Sequence, residues 1–176
     1  MKTLHLMRHG KSSWDDAALD DHDRPLAPRG IKAAARVGRH LRVRGVRPDL
    51  VLCSTARRTA DTLDIVLDAL LPGRDAATVT VERDRGLYLA GAGALLTRLL
   101  AVPDDVTAVL LMGHNPDLHD LAVALAAEGD EVALRSLAVK FPTAACASIH
   151  IAAARWADRV PGAGRLEEFV IPRTLA

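Results

Sequence analysis

The sequence predicts an α/β fold, a three-layer α/β/α sandwich in which helices cover both faces of a mostly parallel central sheet. Short apolar runs that resemble buried strands alternate with segments of helical periodicity, and this alternation is typical of parallel sheets. The chain has 176 residues, close to the length of one domain, and 49% of them are apolar. A chain of this size can bury a sizeable core without disulfides or metals. We therefore expect one domain over residues 1–176.

The predicted strands are short apolar runs that stop at glycine or at polar side chains. The first run stops at Arg8, His9 and Gly10, and the most strongly apolar run stops at Gly113. The segments that fit this description are 3–7, 49–53, 78–82, 106–112, 144–152 and 167–171.

The predicted helices carry apolar side chains three and four positions apart, which is the spacing of one helix face. Pro28 opens the first helix and Gly45 follows it, while Pro72 and Gly73 stop the second. These helices are expected at 28–44, 56–71, 91–101 and 116–127. The polar and acidic stretch 11–27 predicts a loop.

Composition excludes several functional classes. The formal net charge of +1 argues against a protein built to hold a nucleic-acid backbone, and only 3% of residues are aromatic, too few for base stacking. No apolar stretch approaches the roughly 18 residues that span a bilayer, and the N-terminus lacks a signal-peptide core. Cys53 and Cys146 lie in apolar runs and are expected to be buried free thiols. We expect a cytoplasmic protein that binds neither nucleic acid nor membranes.

Polar clusters follow three of the apolar strands at the points where they end. Arg8 and His9 follow the first strand, residues 54–58 follow the second, and His114 follows the strand at 106–112. Ligands of open α/β sheets bind beyond the carboxyl ends of the strands. If these strands are parallel neighbours, the three clusters converge on one site.

The residue types in these clusters predict a phosphate site. Arginine grips a phosphate with two parallel hydrogen bonds, and a neighbouring histidine can act as nucleophile or proton carrier. Taken singly, each residue has a simpler interpretation: His9 as a polar strand end, Arg8 as a surface charge, His114 as a cap for the following helix. Their joint occurrence at matching strand ends favours the functional interpretation. The second nitrogen of a nucleophilic imidazole must also donate to a carbonyl or a carboxylate so that the tautomer is fixed, and the tight turn at Gly10 can bring such a carbonyl close.

Three motifs in these clusters resemble those of the histidine phosphatase superfamily, which includes the phosphoglycerate mutases. The first is Arg8-His9-Gly10, the second is the segment 54–62, similar to Ser-Pro-x-x-Arg-Ala-x-x-Thr, and the third is the segment 113–116, Gly-His-Asn-Pro. The short chain, and the Asp-Arg-Pro-Leu segment 23–26, are most similar to the small SixA-type phosphohistidine phosphatases. The resemblance runs from residue 1 to about 125 and implies a phosphoglycerate mutase-like fold.

The resemblance implies a role for each matching residue. His9 becomes phosphorylated as the nucleophile, Arg8 and Arg58 bind the phosphoryl oxygens, and His114 donates to the phosphoryl group. Ser12 is expected to bind substrate as well. Water then hydrolyses the phosphoenzyme, with no metal and no cofactor. The expected partner is a phosphorylated protein, such as a phosphohistidine domain, or a small phosphoester. A non-catalytic phosphate-binding module is the alternative from another class.

The chain departs from the family pattern at several positions. Thr55 and Thr59 replace the usual proline and alanine of the second motif, and Arg57 adds a cation that we expect on the surface. The general acid of the larger enzymes has no clean match here. Asp84 is the best candidate for a general acid, because Glu82 belongs to the predicted strand. A missing acid suits a good leaving group such as an imidazole.

A basic face on the helix at 28–44 and just beyond it has two interpretations. It is expected to be a solvated surface, and its functional alternative is a docking site for an acidic partner. Its members are Lys32, Arg36, Arg39, Arg42, Arg44 and Arg47.

Overall fold

The computed structural model describes residues 1–73, 79–158 and 162–175. Apolar runs form the strands, as their composition predicts. The strands in this part of the chain are β1 (Lys2–Arg8), β2 (Leu50–Ser54), β3 (Thr80–Asp84), β4 (Ala108–Gly113), β5 (Ala126–Gly129), β6 (Cys146–Ile151) and β7 (Gly164–Val170). They form a single sheet in the order β3-β2-β4-β1-β6-β7-β5.

The sheet is mostly parallel, as predicted. Strands β3, β2, β4 and β1 run parallel to one another, and β5 is parallel to β7. Strand β6 runs antiparallel to both β1 and β7. The parallel half of the sheet is the half that carries the three polar clusters.

Helices cover both faces of the sheet and complete the predicted three-layer sandwich. They are α1 (Pro28–Val43), α2 (Arg57–Leu70), α3 (Ala92–Leu100), α4 (Asp117–Leu125) and α5 (Glu131–Val139). Helices α1 and α2 pack on one face through residues such as Val37 and Val66. Helices α3, α4 and α5 pack on the other face through residues such as Leu99, Leu121 and Leu137. None of the helices within the described ranges is long and apolar enough to cross a membrane.

The structure differs from the predicted elements after position 116. The helix expected at 116–127 ends at Leu125, and the next residues form the short edge strand β5. Helix α5 was not predicted, although Asp130 caps it by accepting hydrogen bonds from the backbone N–H groups of Val132 and Ala133. The strand expected at 78–82 begins at Thr80, and position 78 lies outside the described residues. Cys53 and Cys146 are buried and free, as expected.

The register of the parallel strands places the polar clusters side by side. Arg8 at the end of β1 pairs with Gly113 at the end of β4. Cys53 of β2 pairs with Met112 of the same strand β4. The residues that leave these three strands therefore emerge at one edge of the sheet.

Candidate active site

Four of the predicted site residues meet beyond the carboxyl ends of β1, β2 and β4. The rings of His9 and His114 lie with their centroids 5.1 Å apart. Arg58 donates from Nε to His9 Nε2 at 3.3 Å, and its Nη2 lies 3.4 Å from His114 Nδ1. Arg8 completes the group as a lining residue of the same pocket, which has a volume of about 280 Å³. We call this the strand-end pocket.

His9 is held with its ring nitrogen Nε2 facing the pocket, where it accepts from Arg58 Nε. Its Nδ1 lies 2.7 Å from the Gly10 carbonyl oxygen, which fixes the proton on Nδ1 and leaves the lone pair on Nε2. This is the carbonyl contact expected from the turn at Gly10. Burial lowers the pKa of His9 to about 3, despite the opposing effect of the Gly10 carbonyl. The ring is therefore neutral near pH 7.

Two glycines allow the loop after β1 to pack tightly against helix α1. A Cβ on Gly30 would lie 2.3 Å from the Lys11 carbonyl oxygen, and one on Gly10 would lie 2.9 Å from the Gly30 carbonyl oxygen. Thr62 joins this loop to helix α2, because its hydroxyl accepts from the Gly10 N–H at 2.9 Å and donates to the Arg58 carbonyl at 2.6 Å. These contacts fix the first motif against the second.

His114 is held by hydroxyl groups from the second motif. Its Nε2 lies 2.8 Å from Ser54 Oγ and 3.3 Å from Thr59 Oγ1. Thr59 is one of the departures from the family pattern, so this departure adds a polar contact to a pocket histidine. Burial, followed by the positive charge of Arg58, lowers the pKa of His114 to about 3.

Arg8 reaches the pocket from the β1 side. Its Nη1 donates to the Phe141 carbonyl at 2.9 Å, and Asn115 donates to the same carbonyl. Burial and the nearby charge of Arg58 lower the pKa of Arg8 from its usual value. Among the residues the structure describes, Arg8 pairs with no carboxylate.

Arg58, by contrast, is anchored by a carboxylate that the sequence did not single out. Asp21 accepts from Arg58 Nη2 at 2.9 Å through its side chain and from Nη1 through its backbone carbonyl. The same carboxylate accepts from Tyr88 Oη at 2.6 Å and from Arg24 Nη1 at 2.9 Å. The hydrogen bond from Tyr88, together with Arg58 and Arg24, lowers the pKa of Asp21 to about 2.

Comparisons with known proteins agree with this arrangement. Residues 4–87 match the model of the histidine phosphatase superfamily, branch 1. An uncharacterized protein of Mycobacterium tuberculosis is 41% identical over 95% of this chain and 100% of its own length. A solved structure from Nakamurella multipartitia, provisionally named phosphohistidine phosphatase SixA, is 30% identical, with a TM-score of 0.81 over 97% of this chain and 96% of that one.

A second solved structure is similar over the same extent. It comes from Agrobacterium tumefaciens, bears the same provisional name, and is 27% identical with a TM-score of 0.79 over 97% of this chain and 98% of that one. The chain belongs to the histidine phosphatase superfamily. The family resemblance seen in the sequence is thereby confirmed, and with it the phosphoglycerate mutase-like fold and the assignment as a phosphatase.

The remaining predicted residues of this histidine phosphatase lie in different surroundings. Ser12 is buried beside the strand-end pocket, where its hydroxyl accepts from Arg24 Nη2 at 2.6 Å. Asp84 lies at the exposed end of β3, and its carboxylate accepts from the Gly86 N–H. It is not among the residues that line the described pocket. Arg57 is exposed and pairs with Asp61, as expected for a surface residue.

The residues that contact the site and that the sequence did not identify come from the acidic loop and from the segment after β3. Asp21 and Arg24 belong to the loop 11–27, which gave no periodic pattern, and Tyr88 follows a short helical turn at Arg85–Leu87. The Asp-Arg-Pro-Leu segment 23–26 was the one available indication, because it resembles the small SixA-type proteins. The described residues contain no group of three or more side chains suited to a metal ion.

Proposed function

We propose that this histidine phosphatase transfers a phosphoryl group to His9 Nε2 and then to water, with phosphohistidine on a protein as its preferred substrate. The observation that carries the proposal is the orientation of His9. Its Nδ1 is bound to the Gly10 carbonyl at 2.7 Å, so Nε2 presents its lone pair to the pocket beside Arg58. A neutral imidazole in this orientation can attack phosphorus in line once a bound phosphoryl group takes over the Arg58 Nε–H that Nε2 now accepts.

The arginines supply the charge that a phosphoryl group needs. Arg8 and Arg58 line the same pocket as His9, so both guanidinium groups can bind phosphoryl oxygens while Nε2 attacks. His114 lies beside Arg58 in the same pocket, and its ring N–H can donate to the phosphoryl group as negative charge develops.

The reaction proceeds in two balanced steps. In the first, the bond from His9 Nε2 to phosphorus forms, and the bond from phosphorus to the leaving nitrogen or oxygen breaks; the leaving atom keeps the electron pair of that bond and takes a proton from solvent. In the second, a water oxygen bonds to phosphorus, the phosphorus–nitrogen bond breaks, inorganic phosphate leaves, and the water proton passes to solvent. His9 returns to its starting form, so no oxidant, reductant or metal takes part in the balance.

The absence of a suitable proton donor favours phosphohistidine over an alkyl phosphate. Among the described residues that line the strand-end pocket, Asp21 is the one carboxyl group, and its pKa of about 2 keeps it ionised. Asp84 is exposed and outside this lining. Imidazole leaves more easily than an alkoxide when no acid protonates it. The provisional SixA names of the relatives point to the same substrate class.

The test is hydrolysis with and without His9. The wild-type protein should release phosphate from p-nitrophenyl phosphate and from a phosphohistidine peptide in the presence of EDTA, and His9→Ala should release none. His150→Ala is the matched control, because His150 is a half-exposed histidine paired with Glu167 on the sheet surface. It should retain full activity.

Two outcomes would contradict the proposal. Equal turnover of phosphohistidine and phosphoserine peptides would remove the preference for a nitrogen leaving group. Failure to turn over either peptide or p-nitrophenyl phosphate, with phosphate still binding, would favour a non-catalytic phosphate-binding module.

A further inference from the structure

A second and larger depression adjoins the strand-end pocket. It has a volume of about 540 Å³ and shares Arg8, Lys11 and Thr143 with that pocket. Its outer part comes from the start of α1, the segment after α5, and the C-terminal segment after β7. These segments are distant in sequence, so neither the three motifs nor their spacing indicates this depression.

The charge of this depression is of one sign. Its lining has five basic side chains, and in the described part of the chain it has no aspartate or glutamate. We call it the basic cleft, and its cations are Arg8, Lys11, Arg29, Lys140 and Arg173. Arg29, Lys140 and Arg173 are exposed, and none of the three forms an ion pair with any described residue.

The basic cleft also has an apolar floor. Ala33, Pro142 and Ile171 lie between the cations and are partly buried. Unneutralised cations around a small apolar surface favour a ligand that combines an anionic group with a short carbon skeleton. Because Arg8 lines both the pocket and the cleft, one molecule can occupy the two at once.

We propose that the basic cleft binds a second anionic group of the substrate. This group belongs to the leaving group and lies a short distance from the phosphoryl group that is transferred to His9. This inference rests on the proposed function and adds to it the class of substrate: a phosphoryl compound whose leaving group has a further phosphate or carboxylate. The carrier of that group is either a small bis-anionic molecule or an acidic side chain near the phosphorylated residue of a peptide.

The experiment measures competition with p-nitrophenyl phosphate, so it does not require turnover of the probes. Alkanediol bisphosphates of increasing chain length are compared with the corresponding alkanediol monophosphates as inhibitors. In the wild-type protein, the bisphosphate of suitable length should bind about tenfold more tightly than its monophosphate, the gain expected from one charge-assisted contact in a partly exposed cleft. The gain should shrink at high salt.

Variants of the cleft identify where the second phosphate binds. Lys140→Ala and Arg173→Ala should each reduce the ratio of bisphosphate to monophosphate affinity, and the double variant should bring it close to one. Arg42→Ala is the matched control, because Arg42 is an exposed arginine near the end of α1 that does not line the cleft. It should leave the ratio unchanged. Because each variant is compared with itself, a general loss of stability does not alter the ratio.

A second arm identifies the carrier of the anionic group. Phosphoserine peptides with glutamate at flanking positions are compared with the same peptides carrying alanine there. A glutamate effect that Lys140→Ala removes would assign the cleft to acidic peptides, and an effect with bisphosphates alone would assign it to small molecules. Either result supports the proposal.

A ratio near one for all bisphosphates and peptides, with p-nitrophenyl phosphate still hydrolysed, would overturn the cleft proposal and leave the proposed function intact. If the protein hydrolyses nothing, the proposed function fails, and calorimetric binding of the same probe pairs to His9→Ala still decides whether the cleft holds a second anion. Equal binding of the pairs in that measurement would reject it.

Discussion

Arg58 and Arg8 reach the same pocket from two walls that differ in their partners. On the Arg58 wall, Asp21 accepts from Arg58, Arg24 and Tyr88, so its carboxylate fixes the guanidinium and neutralises part of its charge. On the Arg8 wall, the guanidinium donates to the Phe141 carbonyl, and the neighbouring Lys11 and Lys140 add further positive charge.

The comparison separates two tasks that phosphate sites must combine. A carboxylate fixes the orientation of a guanidinium but cancels part of its positive potential at the ligand. A neutral carbonyl fixes the guanidinium without cancelling that potential. We infer that the Arg58 wall orients the phosphoryl group against His9 and that the Arg8 wall attracts anionic ligands toward the pocket.

The largest expected effect distinguishes the two adjacent arginines of the second motif. Arg58→Ala should lower kcat/KM for p-nitrophenyl phosphate by at least ~100-fold, because it removes the proposed phosphate ligand, which also contacts His9 and His114. Arg57→Ala should change kcat/KM little, since Arg57 is exposed and pairs with Asp61. Steady-state kinetics of the two variants are the measurement, and equal losses would show that the assignment of the Arg58 wall is wrong.

A smaller effect is expected from the carboxylate behind Arg58. Asp21→Asn should lower kcat about tenfold, because the amide keeps the size of the side chain but holds the guanidinium less firmly. KM should fall or stay the same, since an uncompensated Arg58 attracts the substrate more strongly. A rise in KM with unchanged kcat would contradict the orienting role of this wall.

Asp84→Asn is the matched control for the carboxylate substitution. Asp84 is exposed and caps a turn at Gly86 outside the pocket lining, so the variant should match the wild type on both alkyl phosphate and phosphohistidine peptide. A selective loss of alkyl-phosphate hydrolysis would instead give Asp84 the role of general acid that the sequence suggested.

The smallest expected effect is the response to mild acid. Both pocket histidines have pKa values lowered to about 3 by burial, so His9 stays unprotonated down to pH 5. When kcat/KM is calculated for the dianionic substrate, it should therefore stay level from pH 7 to pH 5, because this quantity reports the free enzyme. A histidine with an ordinary pKa of about 6.5 would cause a loss of roughly thirtyfold by pH 5. A fall of that size would contradict a buried, neutral nucleophile.

The inner strands of the parallel half, β1, β2 and β4, were predictable because they are buried on both faces. Strand β2 is buried throughout, and its apolar run stops at Ser54, where the second motif begins. The segment between α4 and β6 gave weaker patterns. Strand β5 has the sequence Ala-Ala-Glu-Gly, which lacks the β-branched residues typical of strands, and in α5 Leu137 is the residue that is fully buried. The Asp130 cap was the one clear indication of α5.

The residues of the site also fall into a group that the sequence predicts and a group that it does not. The order of the strands brings together Arg8, His9, Arg58 and His114, because each lies at a strand end or within four residues of one. Irregular segments carry Asp21, Arg24 and Tyr88. The conformation of these segments depends on tertiary contacts, such as the hydrogen bond from Arg24 to Ser12. Sequence periodicity does not predict the conformation of such loops. The loop 11–27 also contains several aspartates, and nothing in the sequence marks one of them as the partner of Arg58.

The close approach of Gly30 to the Lys11 carbonyl has a consequence for how this protein tolerates change. A side chain at position 30 would collide with the backbone of the loop that carries the proposed nucleophile, so either that loop or helix α1 would have to move. Gly30 thereby links the position of the imidazole to the packing of a helix that does not itself line the strand-end pocket.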